Sequence, residues 1–148
     1  MFIRCPKCNK LREAKAGDFG KNYTCENCHN SVILDVDCLA HFALPDEIHL
    51  KVVNKSNKKY SNISITAKYG YVVGPIETNN DGVVIFSRKA FKQAEERADA
   101  YSLMDHAGDY SFNRYIYFVV FFNNKEVVEQ FDLEGSSRLE KREILITD

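Results

Sequence analysis

The chain has 148 residues, a formal net charge of −1, 45% hydrophobic residues and 28% charged residues. This length fits one small module plus one domain of ordinary size, and the composition is typical of a globular protein. The pI near 6.4 argues against a dedicated nucleic-acid-binding domain, whose pI usually exceeds about 9. The longest apolar run, Tyr115 to Phe122, is too short to cross a bilayer as a helix. With no export signal in view, we expect a cytoplasmic protein without a membrane partner.

The strongest pattern in the chain is a pair of Cys-x-x-Cys sequences near its start. Cys5 and Cys8 form the first pair, and Cys25 and Cys28 form the second. Two such turns can bring four thiolates to about 2.3 Å from one ion in a tetrahedral shell. Because a closed shell leaves no position for water, the spacing predicts a structural Zn²⁺, with iron as the alternative ion.

Two disulfide bonds, or a thioredoxin-like redox site, are the alternative interpretations of these cysteines. Disulfides are typical of exported proteins, and a redox site uses one Cys-x-x-Cys in a βαβ setting that is not visible here. Asn9 and His29 follow the second cysteine of each pair. Both residue types are enriched at positive φ, which this turn often needs, so they fit the metal-binding interpretation.

Short β-type segments flank both cysteine pairs, namely Phe2–Arg4, Lys21–Thr24 and Ser31–Leu34. With these segments, the stretch from Phe2 to Leu34 resembles a zinc ribbon of the rubredoxin-like kind. The resemblance implies metal binding and no particular function. We expect the ribbon to span residues 1–36, a packed linker to span 37–45 and a second domain to span 46–148.

The ribbon and the linker carry further residues with candidate chemistry. Residues 1–34 have six basic and three acidic side chains, a formal charge of +3, which partly compensates the thiolates. These cations, with Phe19 and Tyr23 as stacking surfaces, make nucleic-acid binding an alternative function. Cys38 and His41 have ligand chemistry, but four better placed cysteines already satisfy an ion. We expect a core or linker role for both.

Residues 46–148 are predicted to form mainly antiparallel β-structure. Alternating apolar residues indicate strands, bounded by polar loops. They lie around Ile48–Val52, Ile63–Ala67, Tyr71–Val73 and Val83–Phe86. Gly74 and Pro75 indicate a bulge or an edge strand, and Asp81-Gly82 predicts a hairpin turn.

The period of the apolar residues changes after Phe86. Phe91, Ala94, Ala98 and Tyr101 lie on one helical stripe, which predicts a helix over about 88–100, capped by Ser87. Beyond it, Asn123 and Asn124 are expected to turn the chain between two strands, at 115–122 and 125–133. A last strand is expected around 144–146. The spacing of Ser137 and Glu140 permits a helical turn before it.

The strand at 115–122 is apolar on both faces, whereas a sandwich strand normally keeps one face polar. Something is therefore expected to cover its second face. The predicted helix is the first candidate, and the ribbon or a second copy of the chain are the others. A homo-oligomer formed through this strand is thus one expected partner state.

Two segments, Ile63–Thr66 and Thr78–Phe86, resemble the transthyretin-like, or carboxypeptidase-regulatory-like, sandwich family. The resemblance implies a seven-stranded prealbumin-like sandwich, used mostly as a binding or structural module, and it transfers no active site. The fold class expected for the whole chain is therefore mainly β. It combines a four-cysteine zinc ribbon with an antiparallel prealbumin-like sandwich that carries one inserted helix.

The function expected from these features is non-enzymatic. We expect a binding or assembly module with a structural zinc and a protein or small-ligand partner. The enzyme alternative rests on Asp105, His106 and Asp109, which could form an acid–base or metal cluster near a loop. An ordinary polar loop explains the same residues.

Overall fold

The computed structural model describes residues 1–97, 106–107, 110–111 and 113–147. Within them the chain is mainly β, with one α helix. The first part consists of two antiparallel hairpins. Strand β1 (Phe2–Arg4) pairs with β2 (Leu11–Glu13), and β3 (Asn22–Thr24) pairs with β4 (Ser31–Ile33). This arrangement confirms the expectation of a four-cysteine site on two hairpins.

The larger part consists of two packed sheets. The four-stranded sheet has the order β13 (Lys125–Asp132), β12 (Tyr115–Phe122), β7 (Ser64–Lys68), β8 (Val72–Glu77). The three-stranded sheet has the order β14 (Leu139–Leu145), β6 (Glu47–Val53), β9 (Val83–Ser87). A small third sheet joins β10 (His106–Ala107), β11 (Tyr110–Ser111) and β5 (Phe42–Ala43).

The expectation of purely antiparallel pairing needs one correction, because β14 runs parallel to β6. The chain leaves the four-stranded sheet after β13 and enters the other sheet beside β6, already running in the direction of β6. The remaining strand pairs of both large sheets are antiparallel.

The alternation of apolar residues places the core between the two sheets. Side chains at every second position of β6 and β12 are buried there, since successive strand residues point to opposite faces. They are Ile48, Leu50, Val52, Ile116, Phe118 and Val120. The ribbon has its own smaller cluster, built around Ile3, Tyr23, Leu34 and three of the cysteines.

The bulge predicted at Gly74-Pro75 is confirmed. The register between β7 and β8 shifts between Ile65 and Ala67, opposite these two residues. Strand β8 is also an edge strand, where a residue without an N–H group is tolerated.

The hairpin predicted at Asp81-Gly82 is wrong, although the turn itself forms. Asn79 Oδ1 accepts hydrogen bonds from the backbone N–H of Asp81 (2.9 Å) and of Val83 (3.0 Å), and Gly82 has φ of +74°. The strands on either side belong to different sheets, because β9 pairs with β6. The turn therefore connects the four-stranded sheet to the three-stranded sheet.

The predicted helix is present as α1 (Arg88–Arg97), and Ser87 Oγ caps it by accepting from the Ala90 N–H at 3.1 Å. The last predicted helical residues, 98–100, lie outside the described residues. Phe91 packs against Phe86, with ring centroids 6.2 Å apart, so the helix closes the side of the sandwich where β8 and β9 lie. Among the described residues, no helix has the length and hydrophobicity that crossing a membrane requires.

The helix does not cover the second face of β12, so that expectation is wrong. Tyr117 and Phe121 on this face remain 40% and 54% exposed, because α1 packs at the other end of the strand order. The turn at Asn123 and Asn124 is confirmed, with φ of 50° and 59°. The helical turn suggested by Ser137 and Glu140 is wrong. The Ser137 N–H does donate to Glu140 Oε1 at 2.7 Å, but strand β14 begins at Leu139.

Candidate metal centre

Each cysteine pair lies on a tight turn at the tip of a ribbon hairpin. In the first turn the Asn9 N–H donates to Cys5 O at 2.8 Å, and the Cys5 N–H donates to Lys10 O at 3.0 Å. In the second turn His29 and Cys25 make the equivalent bond at 2.8 Å. Asn9 and His29 have φ of 64° and 62°, which confirms the predicted positive φ. The two turns thus present their sulfurs in the same way.

The four cysteine sulfurs converge. All four Sγ atoms lie within 4.8 Å of one another. Cys5 is 3.6 Å from Cys28, and Cys8 is 3.6 Å from Cys25. A tetrahedron with metal–sulfur bonds of about 2.3 Å has edges of about 3.8 Å. The cysteines are free thiols, not disulfides, and their arrangement is consistent with a metal ion such as zinc.

Burial of the site is uneven. Cys5 and Cys25 are almost completely buried, whereas Cys8 and Cys28 are partly exposed at the hairpin tips. All four positions are needed for tetrahedral coordination, so no position is left for water or a substrate. The arrangement is chemically suited to holding an ion and not to activating a water molecule.

Hydrogen bonds favour the thiolate state at two of the four sulfurs. The N–H groups of Cys28 and Asn27 lower the pKa of Cys25 to about 6, and the side chain of Asn27 lowers the pKa of Cys8. At Cys28 the N–H of Asn30 acts in the same direction. There, burial and the neighbouring sulfurs outweigh it and raise the pKa to about 11. Four thiolates at this spacing repel one another, and a divalent cation would supply the charge that lets them coexist.

Other ribbon residues do not have all the roles that the sequence suggested. Tyr23 is only 7% exposed and lies under the Arg12 guanidinium, 4.4 Å from its ring centre. Phe19 packs against the ribbon cluster. The proposed base-stacking role of Tyr23 is therefore contradicted by its burial. Cys38 is buried outside the four-sulfur group, with its thiol 3.6 Å from Asp35 Oδ1, and His41 is exposed.

Strand β1 connects the ribbon to the sandwich, and the ribbon thereby covers Tyr115, one residue of the strand face for which it was an alternative cover. Phe2 packs edge-on against Phe42 and Tyr115, with ring centroids 6.1 and 5.9 Å away. The Ala40 N–H donates to Phe2 O at 2.9 Å. Arg4 forms an ion pair with Glu134. The apolar second face of strand 115–122 was the sequence signal for this junction.

An open groove of about 270 Å³ lies at this junction, which we call the junction groove. The ribbon side and the sandwich side both line it, with Met1, Phe2, Leu39, Asn113, Arg114, Tyr115 and Tyr117. Arg114 lies over the ring of Phe2 at 4.9 Å and makes two hydrogen bonds to Asp132, at 2.9 and 2.8 Å. Because Asp132 neutralises this cation, the groove is mainly aromatic in character.

Most of the cluster on which the enzyme alternative rests lies outside the described residues. Asp105 and Asp109 lie outside the described residues, and His106 is described only as a backbone position in β10. Among the described residues, the four cysteines form the single group that could hold a metal ion.

No family model, curated protein or solved structure matches the chain. The cysteine geometry and the fold are therefore the basis for a functional conclusion.

Proposed function

We propose that the chain is a non-enzymatic zinc-binding protein in which Cys5, Cys8, Cys25 and Cys28 hold one structural Zn²⁺. The observation that carries this proposal is the convergence of four sulfurs within 4.8 Å on two equivalent turns. The rubredoxin-like resemblance of the stretch from Phe2 to Leu34 supports it. Structural zinc sites use this closed set of thiolates, whereas catalytic sites keep one position open.

The small ribbon core supports a folding role for the ion. Modules of fewer than about 40 residues usually need a metal, disulfides or a partner to fold. The ribbon cluster consists of seven buried residues, three of which are cysteines. Two of these, Cys5 and Cys25, belong to the four-sulfur group, and without an ion their sulfurs would be buried thiols that repel on ionisation. The free energy of metal binding is therefore expected to supply most of the stability of the ribbon.

Metal analysis tests this proposal directly. Protein purified without chelators should contain one zinc per chain by elemental mass spectrometry. Replacement with Co²⁺ should give the visible absorption of a tetrahedral thiolate site. A chain that contains no stoichiometric metal, and that takes up no Co²⁺, would contradict the proposal. A coloured protein with one iron per chain would instead support the iron alternative.

For the sandwich we propose a binding or assembly role with a protein or small-ligand partner. Two features support it. The two large sheets contain seven strands, the number implied by the transthyretin-like resemblance. The junction groove also offers a concave aromatic surface, as ligand sites commonly do. We also propose a cytoplasmic location, which the absence of disulfides among the five cysteines of the described residues supports.

The junction groove can be tested with an apolar fluorescent probe, anilinonaphthalene sulfonate. The change Tyr117→Ser removes an aromatic wall of the groove, and Phe121→Ser is the matched control on the same face outside it. We expect weaker probe binding only for Tyr117→Ser. Equal effects of the two changes would indicate a general apolar surface and contradict a groove-specific site.

Nucleic-acid binding remains the alternative, and the same protein can test it. Lys7, Lys10 and Lys21 are exposed on the ribbon, so phosphate contacts would have to use them. Titration of labelled single-stranded DNA and RNA at two salt concentrations separates the two proposals. Salt-sensitive binding that disappears when these three lysines become glutamines would favour the alternative. No binding at low salt favours the protein- or ligand-binding role.

A further inference from the structure

The two large sheets have four edge strands, and three of them have a proline, a packed helix or like charges that disfavour pairing. Strand β8 contains Pro75, which has no N–H group, and α1 packs against both β8 and β9. Strand β13 carries three carboxylates and one lysine along its eight residues. Like charges along an edge prevent a second copy from pairing with it. The remaining edge, β14, has a different character.

The backbone of β14 forms hydrogen bonds with β6 along one side, and its other side faces away from β6. The Arg138 carbonyl accepts from the Asp46 N–H at 2.8 Å, and the Ile146 N–H donates to Val53 O at 2.9 Å. Because backbone groups alternate along a strand, the even-numbered residues face β6. The odd-numbered ones turn their N–H and C=O groups outward, namely Leu139, Lys141, Glu143 and Leu145. In the described part of the chain, no strand pairs with this outer side.

The side chains of these four residues are arranged symmetrically around Arg142. The leucines lie at the two ends, and a positive and a negative side chain flank Arg142. All four are exposed and lie on the same face of the sheet, since they alternate with the buried Glu140 and Ile144. If a second copy ran antiparallel with its Arg142 opposite the first, Leu139 would lie opposite Leu145. Lys141 would lie opposite Glu143. Each of these pairs would occur twice.

The hydrogen-bonding positions agree with the same register. In an antiparallel ladder, the residues that exchange hydrogen bonds are opposite one another and alternate with pairs that do not. In the register centred on Arg142, residues whose N–H and C=O groups face outward in one copy lie opposite residues of the same kind in the other copy. The central Arg142 pair falls at a non-hydrogen-bonded position. Each Arg142 is already paired with Glu140 of its own strand at 3.0 Å, which reduces the repulsion between the two copies.

We propose that β14 is a dimerisation edge whose partner is a second copy of this chain. The two copies form an isologous, antiparallel pair centred on Arg142, which joins two three-stranded sheets into one six-stranded sheet. This interface is distinct from the apolar strand at 115–122 and does not depend on the metal-binding proposal. Seven residues make a short interface, so we expect a dissociation constant of about 1–100 µM.

Sedimentation of the full chain over a range of concentrations, combined with charge reversal, tests the proposal. Lys141→Glu and Glu143→Lys each place like charges opposite one another twice in the homodimer. Each is expected to weaken dimerisation about tenfold or more. An equimolar mixture of the two variants restores both opposite-charge pairs, so it should form a heterodimer. The double variant Lys141→Glu/Glu143→Lys should also recover the affinity of the wild type.

The matched control is Glu129→Lys, an equivalent charge reversal on the exposed edge strand β13. It should leave the dissociation constant unchanged, and circular dichroism should show that every variant keeps the fold. A wild-type chain that stays monomeric up to about 500 µM overturns the proposal. A dimer that survives both single reversals also overturns it and points to the face of β12 instead.

Discussion

The ribbon and the sandwich are stabilised in different ways. The sandwich cluster contains 22 buried residues among the described part of the chain, drawn from both large sheets and α1. The ribbon cluster contains seven, and three of these are cysteines. We therefore expect the sandwich to bury enough apolar surface to fold by itself, and the ribbon to depend on the ion proposed for its four cysteines.

The two regions also differ in how far apart in the sequence their contacting residues lie. The ribbon site is made by two short turns, each closed within six residues by its own backbone hydrogen bonds. The sandwich core joins positions as far apart as Ala40 and Ile146. Removing one residue from the ribbon site should therefore destroy a whole module. Removing one from the sandwich core should lower the stability of a unit that remains folded.

The largest expected effect follows from removing one sulfur of the ribbon site. In Cys25→Ser the closed shell is broken, and the ribbon loses a metal-derived free energy of about 10 kcal/mol or more. Hydrogen exchange should show loss of protection in β1 to β4 and retained protection in β6 and β12. Cys38→Ser is the control, because Cys38 is a buried cysteine outside the four-sulfur group. Loss of metal in this control as well would contradict the assignment of the four ligands.

A smaller effect is expected in the core of the sandwich. Phe118 is fully buried and packs against Phe86 and Phe131, with ring centroids 5.2 and 6.2 Å away. Phe118→Ala leaves a cavity and should lower the free energy of unfolding by about 3–5 kcal/mol. Chemical denaturation measures this loss, and the metal content should not change. A variant that also released its metal would mean that the two regions do not fold independently.

A substitution in the turn between β8 and β9 should lower the free energy of unfolding less than Phe118→Ala does. Gly82 has φ of +74°, and a Cβ there would lie 3.0 Å from Val52 O and 3.1 Å from Tyr60 N. Gly82→Ala is therefore expected to cost about 1–3 kcal/mol of unfolding free energy. Gly135→Ala has a similar φ of +72° but no atom near the added Cβ, so it separates steric crowding from backbone strain. Equal losses in the two variants would show that crowding contributes nothing.

The smallest effect concerns the ion pair beside the junction groove. Arg114 lowers the pKa of Asp132, so the pair stabilises the folded chain above the ordinary carboxyl pKa of about 3.9. That contribution disappears as the pH falls through the lowered pKa. Because Asp132 is exposed, we expect less than about 1 kcal/mol from the pair at neutral pH.

Asp132→Asn should therefore be less stable than the wild type at pH 7, and the difference should shrink at pH 2. Thermal unfolding at both pH values measures it. A difference that grows on acidification would contradict the role assigned to Arg114.

Local patterns predicted the candidate site and most of the strands. The spacing of the four cysteines and the positive φ of Asn9 and His29 depend on neighbouring residues, so the sequence alone was sufficient for them. The alternation of apolar residues that predicted β6 and β12 follows directly from the burial of one face of each strand.

Strand partners could not be predicted in the same way. Asp81-Gly82 makes a turn wherever its backbone fits, but whether β8 and β9 pair depends on β6, about 30 residues earlier in the chain. The parallel pairing of β14 with β6 and the packing of Phe2 on Tyr115 join segments that are about 90 and about 110 residues apart in the sequence. A local pattern shows that a strand face needs a cover, as at 115–122, but it does not identify the segment that provides it. The resemblances to a rubredoxin-like ribbon and a transthyretin-like sandwich stay predictions.

Chelation followed by two-dimensional NMR tests most directly whether the four cysteines fold the ribbon around one ion. When a strong chelator is added to the purified chain, the amide signals of residues 1–36 should collapse to the narrow range of an unfolded segment. Those of β6 to β9 and β12 to β14 should keep their dispersion, and adding one equivalent of Zn²⁺ should restore the ribbon signals. A ribbon whose signals stay dispersed throughout the chelator titration would contradict the account.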